Sequence, residues 1–218
     1  KLLFLSNGEV GIDEMLAKVK ANPWPLYKVK VGRPDDIELV RAIRNNTDAA
    51  IRVDANEGWS FEEAKLLIPE LAKLDVRMVE QPLHRDETEA QKELKAISTV
   101  PLFADESCQT EKDIQKCAEG FHGVNIKLTK CGGITPAVRM IDEAKKLGLK
   151  TMIGAMCEAT IGSAAIANLM PLLDEVDADG PLLLKEDIST GLEYNNGVIS
   201  LSGKPGLGIS FRGAKFEK

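Results

Sequence analysis

The sequence predicts an α/β fold in which parallel strands form a TIM-like (β/α)7β barrel. Short apolar runs alternate with amphipathic stretches along the chain, a pattern typical of βα units around a parallel sheet. The apolar runs number eight and the amphipathic stretches seven. With 218 residues, of which 44% are apolar, the chain is long enough to bury one large core, so one barrel domain is expected.

Each element follows from its local pattern. Runs rich in apolar residues predict strands at 2–5, 26–31, 49–53, 76–80, 101–104, 122–127, 150–154 and 175–178. Amphipathic stretches predict helices at 11–20, 35–45, 60–73, 87–97, 110–118, 135–147 and 158–170. Ser60 with Glu63 three residues later indicates a capping box, and Thr135 before Pro136 indicates an N-cap.

The barrel is expected to occupy residues 1–180, and residues 181–218 are expected to form a return segment outside it. This segment is rich in turn-forming residues, and Asn195-Asn196-Gly197 predicts a β-hairpin. Because no eighth amphipathic stretch follows the eighth strand, we expect the return segment to meet another domain.

Charge and composition indicate the class of partner. The net charge of -6 and the pI near 5.2 provide no basic surface for phosphates, which argues against nucleic acid. A small polar ligand is expected instead. No apolar stretch reaches the roughly 18 residues that cross a bilayer, so no membrane partner is expected. A homo-oligomer is left open.

The four cysteines indicate a reducing compartment. They include no Cys-x-x-Cys pair and no dense framework of the kind that secreted domains use. The N-terminal residues also lack the pattern of an export signal. A cytoplasmic location is therefore expected.

Three acids each close an apolar run, at intervals of 26 and 25 residues: Asp54, Glu80 and Asp105. In a ring of parallel strands, side chains at consecutive strand ends converge, which suits a hard divalent cation. The alternative is that each acid caps the helix that follows it. Asn56 and Glu106 lie beside these acids and are expected to orient ligands rather than to be ligands.

Lysines bracket the acids along the chain. Lys28 precedes Asp54 by 26 residues, Lys30 shares its strand face, and Lys127 follows Asp105 by 22 residues. Two neighbouring ammonium groups lower each other's pKa, which would make one of them a usable base near neutral pH. A metal held by acids with amines on either side is the outline of a carbon-acid proton-transfer site. The alternative is that Lys28 and Lys30 are a pair of solvated lysines on an edge strand.

Two further groups of residues lie at the same predicted edge. Asp177 and Asp179 end the eighth strand and form an acidic pair suited to a ligand ammonium, although the Asp-Gly sequence there is also typical of a turn. The end of strand seven, including Ala155 and Cys157, is expected to line the pocket. Met156 between them is either a pocket residue or part of the core.

Taken together, these motifs resemble the enolase superfamily in order, spacing and strand placement. The matching strings are Lys-Val-Lys at 28–30, Val-Asp-Ala-Asn at 53–56, Val-Glu-Gln-Pro at 79–82, Ala-Asp-Glu-Ser at 104–107 and Asn-Ile-Lys at 125–127. With a lysine on each side of the three acids, the sequence resembles the muconate-lactonizing subgroup. Within it, Asp-Ala-Asp at 177–179 resembles the D-x-D motif of dipeptide epimerases.

The resemblance implies one Mg²⁺ per site, bound by the three acids, with Lys30 and Lys127 as base and acid on opposite sides of the substrate α carbon. Lys28 would add positive charge beside the substrate carboxylate. The resemblance also implies that some residues contact the substrate, namely Asp177, Asp179, Ala155 and Cys157. Others are implied to contact and orient the metal-binding acids, namely Asn56, Glu106 and Lys130.

The implied function is Mg-dependent epimerisation of a dipeptide through an enediolate, with an Ala-Glu dipeptide (L-Ala-D/L-Glu) from cell-wall turnover as the expected substrate. Alternatives within the superfamily are a cycloisomerase, an o-succinylbenzoate synthase and an N-acylamino acid racemase. A non-catalytic peptide-binding barrel is the alternative from another class. The family also carries an N-terminal capping domain that reads the substrate side chain, and no part of this sequence corresponds to it.

Overall fold

The computed structural model describes residues 3–5 and 11–213. Within these residues, eight parallel strands pair in sequence order to form one sheet. They are β1 (Leu3–Leu5), β2 (Leu26–Lys30), β3 (Ala50–Asp54), β4 (Val76–Glu80), β5 (Leu102–Ala104), β6 (Gly123–Ile126), β7 (Lys150–Gly154) and β8 (Glu175–Asp177). All eight predicted strands are confirmed, with ends that lie within one residue of the predicted ones.

Contacts between strands far apart in this order show that the sheet curls round on itself. Arg52 of β3 forms an ion pair with Glu175 of β8, and Lys28 of β2 lies 3.7 Å from Asp177 of β8. A flat sheet would hold β3 and β8 about 24 Å apart, at about 4.8 Å per strand. The barrel prediction is confirmed, and alternate residues of the strands face a shared interior.

Helices cover the outer face of the sheet. They are α1 (Ile12–Ala21), α2 (Ile37–Arg44), α3 (Phe61–Lys73), α4 (Thr88–Ile97), α5 (Ile114–Gly120), α6 (Leu128–Cys131), α7 (Ile134–Lys146) and α8 (Thr160–Leu169). Outward-facing strand residues such as Val29, Val53 and Val124 are fully buried in one core with apolar helix residues. This core is the usual product of burying one face of every element.

The seven predicted helices are all present, and α6 is an addition. This four-residue helix is too short to show helical periodicity, and it ends at Gly132, whose φ is +92°. The capping box of α3 is confirmed, because Ser60 N donates to Glu63 Oε2 at 2.8 Å and Glu63 N donates to Ser60 Oγ at 3.3 Å. The N-cap prediction at Thr135 is wrong. Helix α7 begins one residue earlier, with Gly133 in the N-cap position.

The C-terminal segment contains two small antiparallel pairs. Strands β10 (Leu192–Asn195) and β11 (Val198–Leu201) form the predicted hairpin, while β9 (Ser189–Thr190) pairs with β12 (Ser210–Phe211). Asn196 and Gly197 both have positive φ, which is typical of a tight hairpin turn. Tyr194 of β10 donates its hydroxyl to Ala178 O at 2.8 Å, so the hairpin is tied to the end of β8.

Among the described residues, no helix combines the length and the apolar character that a membrane-spanning helix requires.

Candidate active site

The three predicted acids lie together at one end of the sheet. Asp54 and Glu80 are the last residues of β3 and β4 and pair in register, and Asp105 directly follows β5. Each is buried, and one carboxylate oxygen from each lies within 4.8 Å of the others. Strand ends therefore position all three, as the spacing of the sequence predicts. Hard oxygen donors grouped in this way can hold a divalent cation.

The electrostatics of the cluster favour a cation. Burial and the negative charge of Asp54 raise the pKa of Glu80 to about 8, and the attraction of Lys28 offsets this only in part. Three carboxylates packed this closely repel one another unless positive charge lies between them. The residues present thus fit a bound divalent metal ion.

Lys28 lies against the acid cluster inside the barrel and is 3% exposed. Its Nζ lies 2.9 Å from Asp54 Oδ2 and 2.8 Å from Glu80 Oε2. Burial lowers the pKa of Lys28, but Glu80, Asp54 and Asp177 together raise it well above the usual value. The expectation that Lys28 and Lys30 lower each other's pKa is therefore wrong for Lys28. Its acidic neighbours decide its charge.

Lys30 and Lys127 lie on opposite sides of the acids. Lys30 ends β2 and Lys127 follows β6, with the acid-bearing strands β3, β4 and β5 between them. Lys30 Nζ donates to Asn56 Oδ1 at 2.5 Å. Lys127 Nζ donates to Asp105 Oδ2 at 2.7 Å. The sheet thus brings two amines, from sequence positions 97 residues apart, to flank one carboxylate cluster.

Asp105 also binds Lys130, which helix α6 places one turn beyond Lys127. Lys130 Nζ donates to Asp105 O at 2.5 Å and to Asp105 Oδ1 at 2.6 Å. Burial acts to raise the pKa of Asp105, but Lys130 and Lys127 lower it to about 2. The Asp105 carboxylate is consequently ionised throughout the neutral range.

Asn56 and Glu106 contact each other as well as the site. Asn56 Nδ2 donates to Glu106 Oε1 at 3.1 Å, and Asn56 N donates to Asp54 Oδ1 at 3.1 Å. Burial and the charge of Asp105 raise the pKa of Glu106. The side chain of Asn56 therefore joins Lys30 to Glu106, while its backbone touches a predicted metal ligand.

Asp177 and Asp179 are both buried but lie in different local structures. Asp177 ends β8, and its Oδ1 has no hydrogen-bond partner among the described atoms. Asp179 has left the extended conformation and precedes a short 3₁₀ helix at Gly180–Leu183. The strand stops at Asp177, so the alternation of side chains along β8 does not determine where the Asp179 side chain lies. Burial raises the pKa of the Tyr194 hydroxyl to about 12, and the negative charge of Asp179 contributes to this rise.

The predicted strand-seven positions follow Gly154 at the same edge of the sheet. Ala155 is half-buried and Cys157 is exposed. Met156 is 55% exposed, so the core alternative for this residue is wrong. The structure places these residues near the site and leaves their contact with a substrate as a prediction.

Three polar residues support the site without having been predicted to do so. Asn125 is fully buried, and its Nδ2 donates to Glu80 Oε1 at 2.8 Å. Gln81 Oε1 accepts from Asp105 N at 3.0 Å. Arg52 faces Asp177 and Glu80 from the interior below them. Only Asn125 carried a usable signal, because it lies two residues before Lys127 on the same strand face.

Clustered carboxylates at the mouth of a parallel barrel, with amines on both sides, place this chain in the enolase class of barrels. Residues 12–215 match the family model described as Enolase C-terminal domain-like, and the chain belongs to that family. The resemblance inferred from the motifs is thereby confirmed.

Within this family, the chain is similar to proteins described as epimerases. The chain is 52% identical over 203 residues to an L-Ala-D/L-amino acid epimerase of Flavobacterium johnsoniae, covering 93% of this chain and 60% of the relative. A substrate-liganded L-Ala-D/L-Glu epimerase from Bacillus subtilis superposes with a TM-score of 0.88 and 32% identity, covering 94% of this chain and 62% of that one.

A dipeptide epimerase from Cytophaga hutchinsonii, complexed with Mg and the dipeptide D-Ala-L-Val, superposes with a TM-score of 0.89 and 28% identity. That match covers 97% of this chain and 61% of the other. The chain thus spans about 60% of the length of the relatives it matches.

Proposed function

We propose that the whole protein is a Mg²⁺-dependent epimerase of dipeptides with N-terminal alanine, including L-Ala-D/L-Glu. The observation that carries this proposal is the three-carboxylate cluster with Lys30 on one side and Lys127 on the other. Removing a proton next to a carboxylate creates excess negative charge, and delivering a different proton from the opposite face inverts the carbon. The names of the relatives support the dipeptide as substrate.

Asp54, Glu80 and Asp105 are proposed to hold the cation. Their grouped oxygens fit such an ion, and the Cytophaga hutchinsonii protein is described with Mg. A bound Mg²⁺ supplies positive charge that stabilises the substrate carboxylate as the α proton leaves. Asn125 and Gln81 keep Glu80 and Asp105 in place through the hydrogen bonds described above. Lys28 would add a further positive charge beside that carboxylate.

The proton transfer itself is assigned to the two flanking lysines. One of Lys30 and Lys127 takes the α proton, and the other delivers a proton to the opposite face. The roles exchange with the configuration of the substrate, so both epimers are accepted. This two-base arrangement requires amines on both sides of the substrate, which the strand order supports.

The substrate ammonium is assigned to Asp177 and Asp179. Buried Asp177 Oδ1 has no hydrogen-bond partner within residues 3–5 and 11–213, which supports this assignment, since a buried carboxylate oxygen requires a donor. Ala155 and Cys157 are proposed to line the same pocket. A capping domain, a homo-oligomer and a cytoplasmic location stay predictions; the four cysteines are free thiols, in agreement with a reducing compartment.

The test is incubation of the full-length protein with L-Ala-L-Glu, L-Ala-D-Glu and L-Ala-L-Val in D₂O with MgCl₂, followed by ¹H NMR. We expect deuterium at the α carbon of the C-terminal residue and formation of both epimers. The control variant Lys146→Ala, on the exposed face of α7, should behave like the wild type. Tight dipeptide binding without deuterium uptake would instead favour the non-catalytic barrel.

Asp179→Asn separates dipeptides from N-acylated substrates. Loss of one charge-assisted hydrogen bond to the ammonium should lower kcat/KM for L-Ala-L-Glu about 10- to 100-fold. Turnover of an N-succinyl amino acid, which has no ammonium, should not fall. Unchanged turnover of the dipeptide would remove the reason for preferring it over the substrates of the racemases and cycloisomerases.

A further inference from the structure

We propose that Asn56 and Glu106 are positioning residues for Lys30, and thus for proton transfer on one face of the substrate only. They were expected to orient metal ligands, and the structure gives their side chains a different partner. This inference rests on the proposed function for its catalytic meaning. The contacts on which it depends lie between side chains of this chain alone.

The orientation of the Asn56 amide follows from its two partners. Glu106 Oε1 is a hydrogen-bond acceptor, so Asn56 turns its Nδ2 towards it at 3.1 Å. The other end of the amide, Oδ1, then faces Lys30 Nζ at 2.5 Å. Glu106 therefore acts on Lys30 through Asn56.

The loop that carries Asn56 is held rigidly. Asn56 and Glu57 have φ values of +43° and +64°, a left-handed conformation that non-glycine residues rarely adopt. Asn56 N donates to Asp54 Oδ1, and the Glu57 carboxylate accepts from Arg85 Nε and Nη2 at 2.8 and 2.9 Å. These contacts fix the Asn56 side chain relative to β3.

The loop after Lys30 packs directly on the loop after Asn56. A Cβ placed on Gly58 would lie 2.7 Å from Gly32 Cα, so the two backbones approach too closely for any other residue at position 58. The segments that follow Lys30 and Asn56 are therefore in direct backbone contact.

An amide oxygen suits a proton-transferring amine. Both the ammonium and the neutral amine keep N–H groups, so Asn56 Oδ1 can hold Lys30 through either state. While this contact holds, the neutral amine can direct its lone pair, and the ammonium one of its other protons, at the α carbon. Lys127 is held differently, by the Asp105 carboxylate that also binds Lys130. A change at Asn56 should therefore act on one lysine and spare the other.

The catalytic test compares α-proton exchange from the two epimers of L-Ala-Glu in D₂O. Lys30→Ala first identifies the epimer whose proton Lys30 removes. Asn56→Ala should slow exchange from that epimer about 100-fold and exchange from the other less than about threefold, with KM nearly unchanged, as expected from misplacing one reacting group. Equal losses on both epimers, with weaker Mg²⁺ binding by calorimetry, would show a role in supporting the metal and overturn the proposal.

Two variants at Glu106 separate positioning from general damage. Glu106→Ala should reproduce the one-sided loss, whereas Glu106→Gln keeps an acceptor for Asn56 Nδ2 and should restore most of the exchange. The matched control is Gln109→Ala in the same loop, which removes only the bond from Gln109 Nε2 to Glu106 O. It should exchange both epimers at the wild-type rates.

A second readout does not depend on catalysis. Competitive labelling of the metal-free protein with trace acetic anhydride, read by mass spectrometry, reports the accessibility and reactivity of each amine. Asn56→Ala should change the labelling of Lys30 at least about threefold relative to Lys127, because a hydrogen bond to Nζ has been removed. A wild-type protein that exchanges neither epimer would contradict the proposed function alone, whereas an unchanged labelling ratio would overturn the Asn56–Lys30 contact itself.

Discussion

Glu80 shows how the surroundings of one residue set its chemistry. It is buried between two other carboxylates. Burial, and to a smaller extent repulsion from Asp54, raises the pKa of Glu80 from the usual 4.5 to about 8. The raised pKa favours the protonated form of this carboxyl group, so a cation that binds Glu80 competes with a proton. Metal binding and proton release are coupled at this residue.

We expect Mg²⁺ to bind more tightly as the pH rises towards 8. Below a pKa of about 8 the bound proton competes with the metal, so affinity should increase up to about tenfold per pH unit and level off above it. Isothermal titration calorimetry at pH 6, 7, 8 and 9, in two buffers of different ionisation enthalpy, measures both affinity and protons released. Affinity that is constant from pH 6 to 8 would contradict the coupling.

Gly154 leaves room for the side chain that supports Glu80. A Cβ at this position would lie 2.6 Å from the amide atoms of Asn125. Gly154→Ala should displace Asn125, reduce the free energy of unfolding by about 1–3 kcal/mol, and weaken activity through Glu80. Urea unfolding followed by circular dichroism provides the measurement. Gly32→Ala, whose Cβ would meet only Ala55 O at 3.7 Å, is the control and should be close to neutral.

At the scale of elements, helix α3 shows a local signal that works. Ser60 and Glu63 satisfy each other's backbone N–H groups at its start. Ser60→Ala should cost about 1 kcal/mol of unfolding free energy. A double-mutant cycle with Glu63→Ala tests this reason. If the two bonds depend on each other, the double variant should lose less unfolding free energy than the two single variants lose in total. Strict additivity would show that the box contributes nothing as a pair.

Elements and site residues were predictable where the signal is local. Every strand has its own apolar run, and the three acids and Lys127 each stand at the end of one, so chain position alone places them at a common edge. Helix α6 has only four residues, too few for a period. Arg52 and Gln81 were missed for another reason: their partners lie on other strands, which a reading of one segment does not reveal.

On the scale of the whole molecule, Arg52 links β3 to β8 across the interior of the curled sheet. It lies buried on β3, binds Glu175 of β8, and faces the negative charges of Asp177 and Glu80. Burial lowers the pKa of Arg52 to about 10, so the side chain stays charged at neutral pH. Arg52 and Lys28 are thus two buried cations that offset the acidic end of the barrel interior.

Arg52→Met should destabilise the protein by about 3 kcal/mol, because it removes one of the two buried positive charges, Arg52 and Lys28, that offset Asp177 and Glu80. Arg77→Met is the matched control on the next strand. Arg77 pairs with Asp75 on the surface, where both side chains are more than 60% exposed, so its loss should cost under about 1 kcal/mol. Equal changes in urea unfolding for the two variants would show that Arg52 has no special place in the interior.

Strands β2 to β6 are consecutive both in the sheet and along the chain. The residues assigned to metal binding and proton transfer therefore fall within one uninterrupted arc, from Lys28 to Lys130, while those assigned to the substrate ammonium and pocket come after it. A genetic crossover between two relatives within α7 would pass on this arc intact and exchange only the recognition side. Descendants of such an event would keep the residues proposed for metal binding and proton transfer and would receive new residues at the positions proposed for the substrate ammonium.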